Sequence, residues 1–219
     1  MFTRLAVDEI APTYLVVARL FLASILLGPI FIRKKDLILM SKEIPSILIL
    51  GIINAALPFF LFAYAAQDLS AGMLSILNGT SPLFALIIAI TWFRQNTTLM
   101  QILGLGLGFL GLMVFIGTDQ ISFIFYPVLL CLIGAFCYAY SNNILFRLNH
   151  IKSAALASVT MISGFFFSLP LIFLEPTDFS MDLSLKIIFA IFFLGLVSTG
   201  VSFIACLLYT SDAADDLYR

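Results

Sequence analysis

Long apolar runs recur along the chain, separated by short polar stretches. Seven stand out, at roughly 12–32, 45–66, 71–93, 99–117, 124–146, 153–174 and 185–208. Each comes close to or exceeds the about 20 residues that cross roughly 30 Å of hydrocarbon at about 1.5 Å per residue. A strand of a membrane barrel would be about ten residues long and would alternate polar with apolar positions. These runs do neither. They predict transmembrane helices, because lipid tolerates only segments whose backbone groups bond internally. The connections are too short for a soluble domain. The pattern therefore predicts an all-α, polytopic helix bundle in one membrane domain.

Composition agrees and removes the alternatives. Hydrophobic residues make up 62% of the 219-residue chain and charged residues 11%. Soluble domains average about 45–50% and about 25%. Disorder needs the opposite balance. A net charge of −1 leaves no basic field for nucleic acid. Cys131, Cys137 and Cys206 all lie in apolar runs and form no metal-ligand or disulfide spacing. Neither a cofactor nor a metal site is expected.

Charge placement then gives orientation. Arg33, Lys34, Lys35 and Lys42 follow the first run, Arg94 follows the third, and Arg147 and Lys152 flank the loop after the fifth. The intervening loops, 67–70, 118–122 and 175–184, hold none of these basic residues, and the last carries Glu175, Asp178 and Asp182. Lys186, at the edge of a run, is the one exception. Basic loops face the cytoplasm, so the first run begins outside. A helix preceding it is expected on that ground.

The chain also repeats weakly. Leu50-Gly51-Ile52-Ile53-Asn54-Ala55-Ala56 matches Leu194-Gly195-Leu196-Val197-Ser198-Thr199-Gly200 at an offset of 144, which Phe59 and Phe203 keep. Pro29 matches Pro170 at an offset of 141. The second run thus pairs with the seventh, and the first with the sixth. Partners five helices apart have opposite membrane orientations, the arrangement of inverted-repeat transporters.

At these residues the sequence resembles the EamA-type branch of the drug/metabolite transporter superfamily. The stretch Ala11 to Ala23, with its Pro12 entry and Arg19-Leu20-Phe21 step, is similar to the family's second helix. Ala63-Tyr64-Ala65-Ala66 with Leu69-Ser70-Ala71-Gly72 resembles the end of its third helix, and Ser81-Pro82-Leu83-Phe84-Ala85 its fourth. The Gly-rich run from Gly104 to Gly117 resembles the fifth; the family's Gly-Glu step is replaced by Arg94-Gln95. The resemblance implies ten helices as two inverted repeats of five, in a bacterial inner (plasma) membrane. On that plan residues 1–117 are the first repeat without its first helix. Residues 124–208 are then helices six to eight, with nine and ten missing. The polar tail 207–219 is expected to be foreign to the protein, since it breaks the repeat and resembles translated adapter sequence.

Arg19 is the main candidate for chemistry. It lies about 10 Å inside its run at about 1.5 Å per residue, where an unpaired cation costs at least about 2.5–3.5 kcal/mol. It either attracts an anionic substrate group, or snorkels outward, or bonds to neighbouring helices. Asn78 and Ser81, with Ser75, recur at three-residue spacing; Tyr138 and Asn142, and Ser198 and Ser202, are four apart, as are Asn54 and Pro58. Such spacings share a helix face. They suit either a polar cavity or ordinary interhelical bonds, each worth about 0.6 kcal/mol. Pro58 and Pro82 are candidates for helix breaks near the midplane.

Several matches carry no chemistry. Gly106-Leu107-Gly108-Phe109-Leu110-Gly111 has dinucleotide-loop spacing but lies inside an apolar run, where Gly104 and Gly108 read as helix packing. Asn78-Gly79-Thr80 lies in a span and Asn96-Thr97-Thr98 in a cytoplasmic loop, so neither suits glycosylation. His150 reads as a solvated loop residue. No catalytic residues are expected. The reading is a secondary transporter of small metabolites. Export of amino acids or related compounds by alternating access is what the resemblance implies. The alternatives are a non-transporting scaffold and an intramembrane enzyme. The expected partners are a small-molecule substrate and the lipid bilayer, not nucleic acid, with a homodimer left open.

Overall fold

The computed structural model describes residues 2–7, 9–31, 34–92, 98–116, 121–148, 150–175 and 184–201. All secondary structure among them is helical: α1 (Phe2–Val7), α2 (Pro12–Phe31), α3 (Lys34–Ser41), α4 (Ile44–Leu50), α5 (Leu57–Ala65), α6 (Ala71–Asn78), α7 (Ser81–Thr91), α8 (Leu99–Ile116), α9 (Ile121–Arg147), α10 (Ser153–Ser168) and α11 (Leu185–Phe192). Two stretches, Gly51–Ala56 and Phe193–Val201, wind as π helix, and Leu169–Leu174 as 3₁₀ helix. Four stretches are long and apolar enough to cross a membrane, Ile44–Ala65, Ala71–Ile88, Phe125–Leu145 and Ala154–Phe173, and Pro12–Gly28, Leu99–Gly108 and Leu185–Val201 are shorter apolar helices. Over their described residues all seven apolar runs are therefore helical. Helices α1 and α3, in the stretches flanking the first run, are additions that hydropathy does not predict.

The runs are less uniform than their composition. The second is one continuous rod whose middle, Gly51–Ala56, widens to π winding before Pro58 opens α5. The third breaks at Gly79 and Thr80. Glycine is a poor helix interior, the Thr80 hydroxyl donates to the Leu77 carbonyl at 2.6 Å, and Pro82 sits in the first turn of α7. A proline belongs there because its missing N–H would be unpaired in any case. The sixth run tightens into 3₁₀ helix at Leu169 and Pro170, and the chain leaves it extended at Glu175.

The core forms around α2. Val16, Leu20, Ala23 and Leu27 make a buried stripe at helical spacing and cluster with Ala55, Phe59, Phe60 and Ala63 of the second span, Met161 of α10 and Ile187 and Leu194 of the seventh span. Two satellite clusters close the ends. Met40, Ile47, Leu50, Leu148, Ile151 and Leu156 meet at the end carrying the basic loops. Ala65, Leu69, Leu77, Val128 and Cys131 meet at the other. Large apolar side chains also face outward; Leu103, Leu107, Leu110 and Val114 give α8 an exposed stripe suited to lipid.

Backbones approach most closely where small residues meet. A Cβ at Gly51 would lie 2.3 Å from the Ser163 hydroxyl oxygen, and one at Gly164 would lie 2.8 Å from the Ala55 methyl. In the seventh span, a Cβ at Gly195 would lie 2.6 Å from Cβ of Leu22. Thus α10 crosses the π segment of the second span, and α2 crosses the π segment of the seventh. The residue pairs are related by the 144- and 141-residue offsets of the sequence repeat. Gly104 behaves differently from expectation. Among the described residues a Cβ there meets nothing within 4 Å, whereas one at Gly108 meets Leu83 at 3.0 Å.

Gly51→Leu should therefore force the π segment of the second span and α10 apart and lower stability by about 1–3 kcal/mol. Gly104→Leu should leave it unchanged. Thermal unfolding of the two variants in detergent checks the contrast.

Candidate functional site

A cavity of about 310 Å³ lies between the helices and is lined by Arg19, Phe59, Asn78, Tyr138 and Ser198, with Phe2 and Thr3, Phe62, Ala71, Leu74, Ser75 and Leu194 completing its wall. Its depth follows from helix geometry. Arg19 is seven residues into α2 and Tyr138 is nine residues before the end of α9. At about 1.5 Å per residue Arg19 is about 10 Å from the start of α2 and Tyr138 about 13 Å from the end of α9. The cavity therefore runs from Ala71, at the start of α6, toward the middle of the bundle, and Phe2 and Thr3 of α1 also line it.

Arg19 is held on two sides. Its Nε donates to the Thr199 hydroxyl at 2.7 Å. Its guanidinium carbon stands 3.9 Å from the centre of the Phe59 ring, within range of cation–π attraction. The Thr199 hydroxyl in turn donates to the Leu194 carbonyl, five residues back, at 2.9 Å. That reach is the hydrogen-bond register of the π segment itself. One hydroxyl thus ties the cation of α2 to the wide turn of the seventh span. Tyr138 stacks near Phe62, with ring centres 6.2 Å apart. The site is a positive charge among aromatic faces, with Ser75, Asn78 and Ser198 as neutral polar groups.

A second polar cluster sits at the end of the bundle opposite the basic loops. Tyr64, at the end of α5, donates to the Glu175 carboxylate at 2.6 Å. Thr13, at the start of α2, donates to the same carboxylate oxygen, and the two hydroxyl oxygens are 3.2 Å apart. Thr13 and Tyr64 also line a separate cavity of about 300 Å³, together with Phe60, Leu61, Tyr126, Leu130 and Leu171.

Of the residues singled out from sequence, Arg19, Asn78, Tyr138 and Ser198 come together in the central cavity. The others do not join them. Asn54 accepts a hydrogen bond from Ser141 at 2.8 Å, an interhelical bond. Ser81 donates to the Asn78 carbonyl at 2.7 Å, closing the helix break. Asn142 is exposed. Ser202 lies outside the described residues. Pro58 and Pro82 shape the backbone near the site without lining it. Sequence reasoning passed over Thr199, although it lies in the repeated segment. Spacing by four paired Ser198 with Ser202, whereas π winding turns the adjacent Thr199 toward Arg19. It also treated Tyr64 as a family resemblance and Glu175 as a loop charge; Thr13 carried no signal beyond its place beside Pro12.

A bundle of apolar, membrane-length helices enclosing a charged central cavity has the build of a membrane transport protein. The comparisons with known proteins narrow this. The EamA-like transporter family matches residues 1–117, and the chain belongs to that family. It is 23% identical over 211 residues to the uncharacterized transporter YdfC of Bacillus subtilis, across 95% of this chain and 68% of that protein. It is 22% identical over 206 residues to the uncharacterized transporter YoaV of the same organism, across 92% and 70%. An uncharacterized transporter of Archaeoglobus fulgidus is 26% identical over 163 residues, across 72% of this chain and 56% of its own length. No solved structure matches the chain. The protein is thus a multi-pass membrane transporter.

The Asn54–Ser141 bond is structural, not part of the cavity. Asn54→Ala and Ser141→Ala should each lower thermal stability slightly, and a double-mutant cycle should give a coupling near about 0.6 kcal/mol. Transport should be unaffected by either.

Proposed function

We propose that the protein carries small metabolites bearing an anionic group, amino acids or close relatives, outward by alternating access around the central cavity. The observation that carries this reading is Arg19. A permanent cation at mid-depth is costly, and here it lines an open cavity while Thr199 and Phe59 fix it in place. Such an arrangement is pre-organised for a carboxylate, which guanidinium groups bind through paired hydrogen bonds. The aromatic walls formed by Phe59, Phe62 and Tyr138 suit an apolar or aromatic remainder, and Asn78 and Ser198 supply neutral hydrogen-bonding groups beside it.

Alternating access is supported by the paired segments. Gly51–Ala56 and Phe193–Val201 share the sequence repeat and the π winding, and each is crossed by a helix belonging to the other half of the chain. Two similar halves that grip one another in this way can rock about a central site. Bacterial inner-membrane location and outward direction rest on the family resemblance, and belong to the same proposal.

Efflux of radiolabelled amino acids from cells expressing the protein tests the reading. Arg19→Ala should reduce transport by about tenfold or more, as expected for loss of a charged hydrogen bond worth about 1.5–3 kcal/mol, at unchanged surface expression. Arg19→Lys should recover only part of it, since a lysine cannot donate to Thr199 and a carboxylate with the same geometry. Full efflux by Arg19→Ala would exclude the proposed role.

A further inference from the structure

Neither the central cavity nor the Glu175 cluster accounts for Lys186. It stands on the side of the bundle whose loops, 67–70, 118–122 and 175–184, carry no lysine or arginine, and the positive-inside rule gives no reason for it there. Lys186 is the second residue of α11 and lines a groove of about 480 Å³ between α11 and α1. The other wall of the groove carries Glu9, two residues past the end of α1. Both side chains are exposed. The two helices are antiparallel, so below the charges the groove becomes apolar. Phe2, seven residues before Glu9, meets Phe193, seven residues after Lys186, with ring centres 4.4 Å apart. At about 1.5 Å per residue that contact lies about 10 Å deeper than the charges. Leu5, Leu185 and Phe189 line the space between and are 52%, 84% and 62% exposed. The stripe of Leu103, Leu107, Leu110 and Val114 on α8 is similarly exposed, but α8 carries no charged residue. The α1–α11 groove is thus set apart from ordinary lipid-facing surface by a cation and an anion at its mouth.

We propose that this groove binds one phospholipid with a primary-ammonium headgroup, of the phosphatidylethanolamine class, from the leaflet on the side opposite the basic loops. The order of groups along the groove is that of such a lipid. Lys186, a compact charge with three donors, meets the phosphate. Glu9 accepts from the ammonium, a charge-assisted bond. One acyl chain then runs down over Leu5 and Phe189 to the Phe2 ring. A volume of about 480 Å³ falls within the roughly 300–1,000 Å³ of small-ligand sites. The paired charges also select among headgroups. A glycerol headgroup has no ammonium for Glu9, and its phosphate meets the carboxylate as a like charge. A choline headgroup has the positive charge but no N–H to donate. Phe2 lines both this groove and the central cavity, so the lipid chain and the contents of the cavity meet the same ring. The lipid site itself stands whatever the cavity carries.

The test is photolabelling of the full chain in phosphatidylcholine vesicles. These hold a trace of phosphatidylethanolamine or of phosphatidylglycerol, each with a photoreactive diazirine in one acyl chain. Labelled peptides are located by mass spectrometry, and α8, whose exposed stripe meets lipid of any kind, is the internal reference. Labelling of α1 and α11 relative to α8 should be about fivefold or more higher with the ethanolamine lipid than with the glycerol lipid. Lys186→Gln should bring labelling of the groove by both lipids down toward the α8 level. Glu9→Gln should bring the two lipids level with each other while both still label the groove above α8, because the lysine continues to hold the phosphate. Both side chains are exposed, so these variants should fold as the parent does. In the parent chain, equal labelling by the two lipids or a preference for the glycerol lipid would overturn the site. So would a preference that either substitution leaves unchanged. No transported metabolite enters the measurement, so its failure leaves the transport reading standing and the failure of that reading leaves this site standing.

Discussion

Helices in lipid gain nothing by hiding leucine from their surroundings, because the surroundings are as apolar as the neighbour. What holds such helices together is close approach, and close approach needs side chains that are nearly absent. Gly51 against Ser163 and Gly164, and Gly195 against Leu22, provide it. These contacts bring α10 onto the second span and α2 onto the seventh. The rest follows from them. The α2 stripe of Val16, Leu20, Ala23 and Leu27 is buried because helices stand on both sides of it, and the central cavity exists because those same helices carry aromatic and polar groups a turn or two further along.

The π winding belongs to the same constraint. An α-helix keeps a fixed angular step, so two faces set by close packing cannot be adjusted independently. Widening Gly51–Ala56 and Phe193–Val201 adds freedom. In the seventh span it lets Gly195 meet Leu22 while Thr199, four residues later, meets Arg19. The Thr199 hydroxyl bridges the wide turn to the Leu194 carbonyl, so the backbone bond loosened by π winding is compensated by the side chain that positions the cation. Packing and site geometry are therefore coupled through one residue.

The two polar clusters differ in what holds them. Arg19 sits among aromatic faces and a neutral hydroxyl, an environment that leaves a positive field in the cavity. Among the described residues Glu175 is met by two hydroxyls, at the end of the bundle. The two clusters thus sit at different depths along α2, Thr13 at its start and Arg19 seven residues into it.

Much of this was legible in the residues. The seven runs are helical over their described residues because lipid leaves the backbone no other choice, and hydropathy alone carries that signal. The resemblance at Ala11–Ala23 and Ser81–Ala85 led to the family. The pull of a buried cation made Arg19 a candidate before any contact was known. Other features required the tertiary structure. Leu20 and Leu27 of α2 and Leu103 and Leu110 of α8 show the same periodicity, yet the first pair is core and the second faces outward. Hydropathy cannot separate them, since lipid and protein interior are equally apolar. Asn54 and Asn78 are the same residue type near mid-span, but one bonds across to Ser141 and the other lines the cavity. The cluster of Thr13, Tyr64 and Glu175 joins residues up to 162 positions apart, and no local pattern announces it. By itself the sequence determined which segments cross the membrane, through a solvent property that acts on each segment alone. Only the tertiary structure decided which face of each helix meets protein, because that depends on what the other helices offer in return.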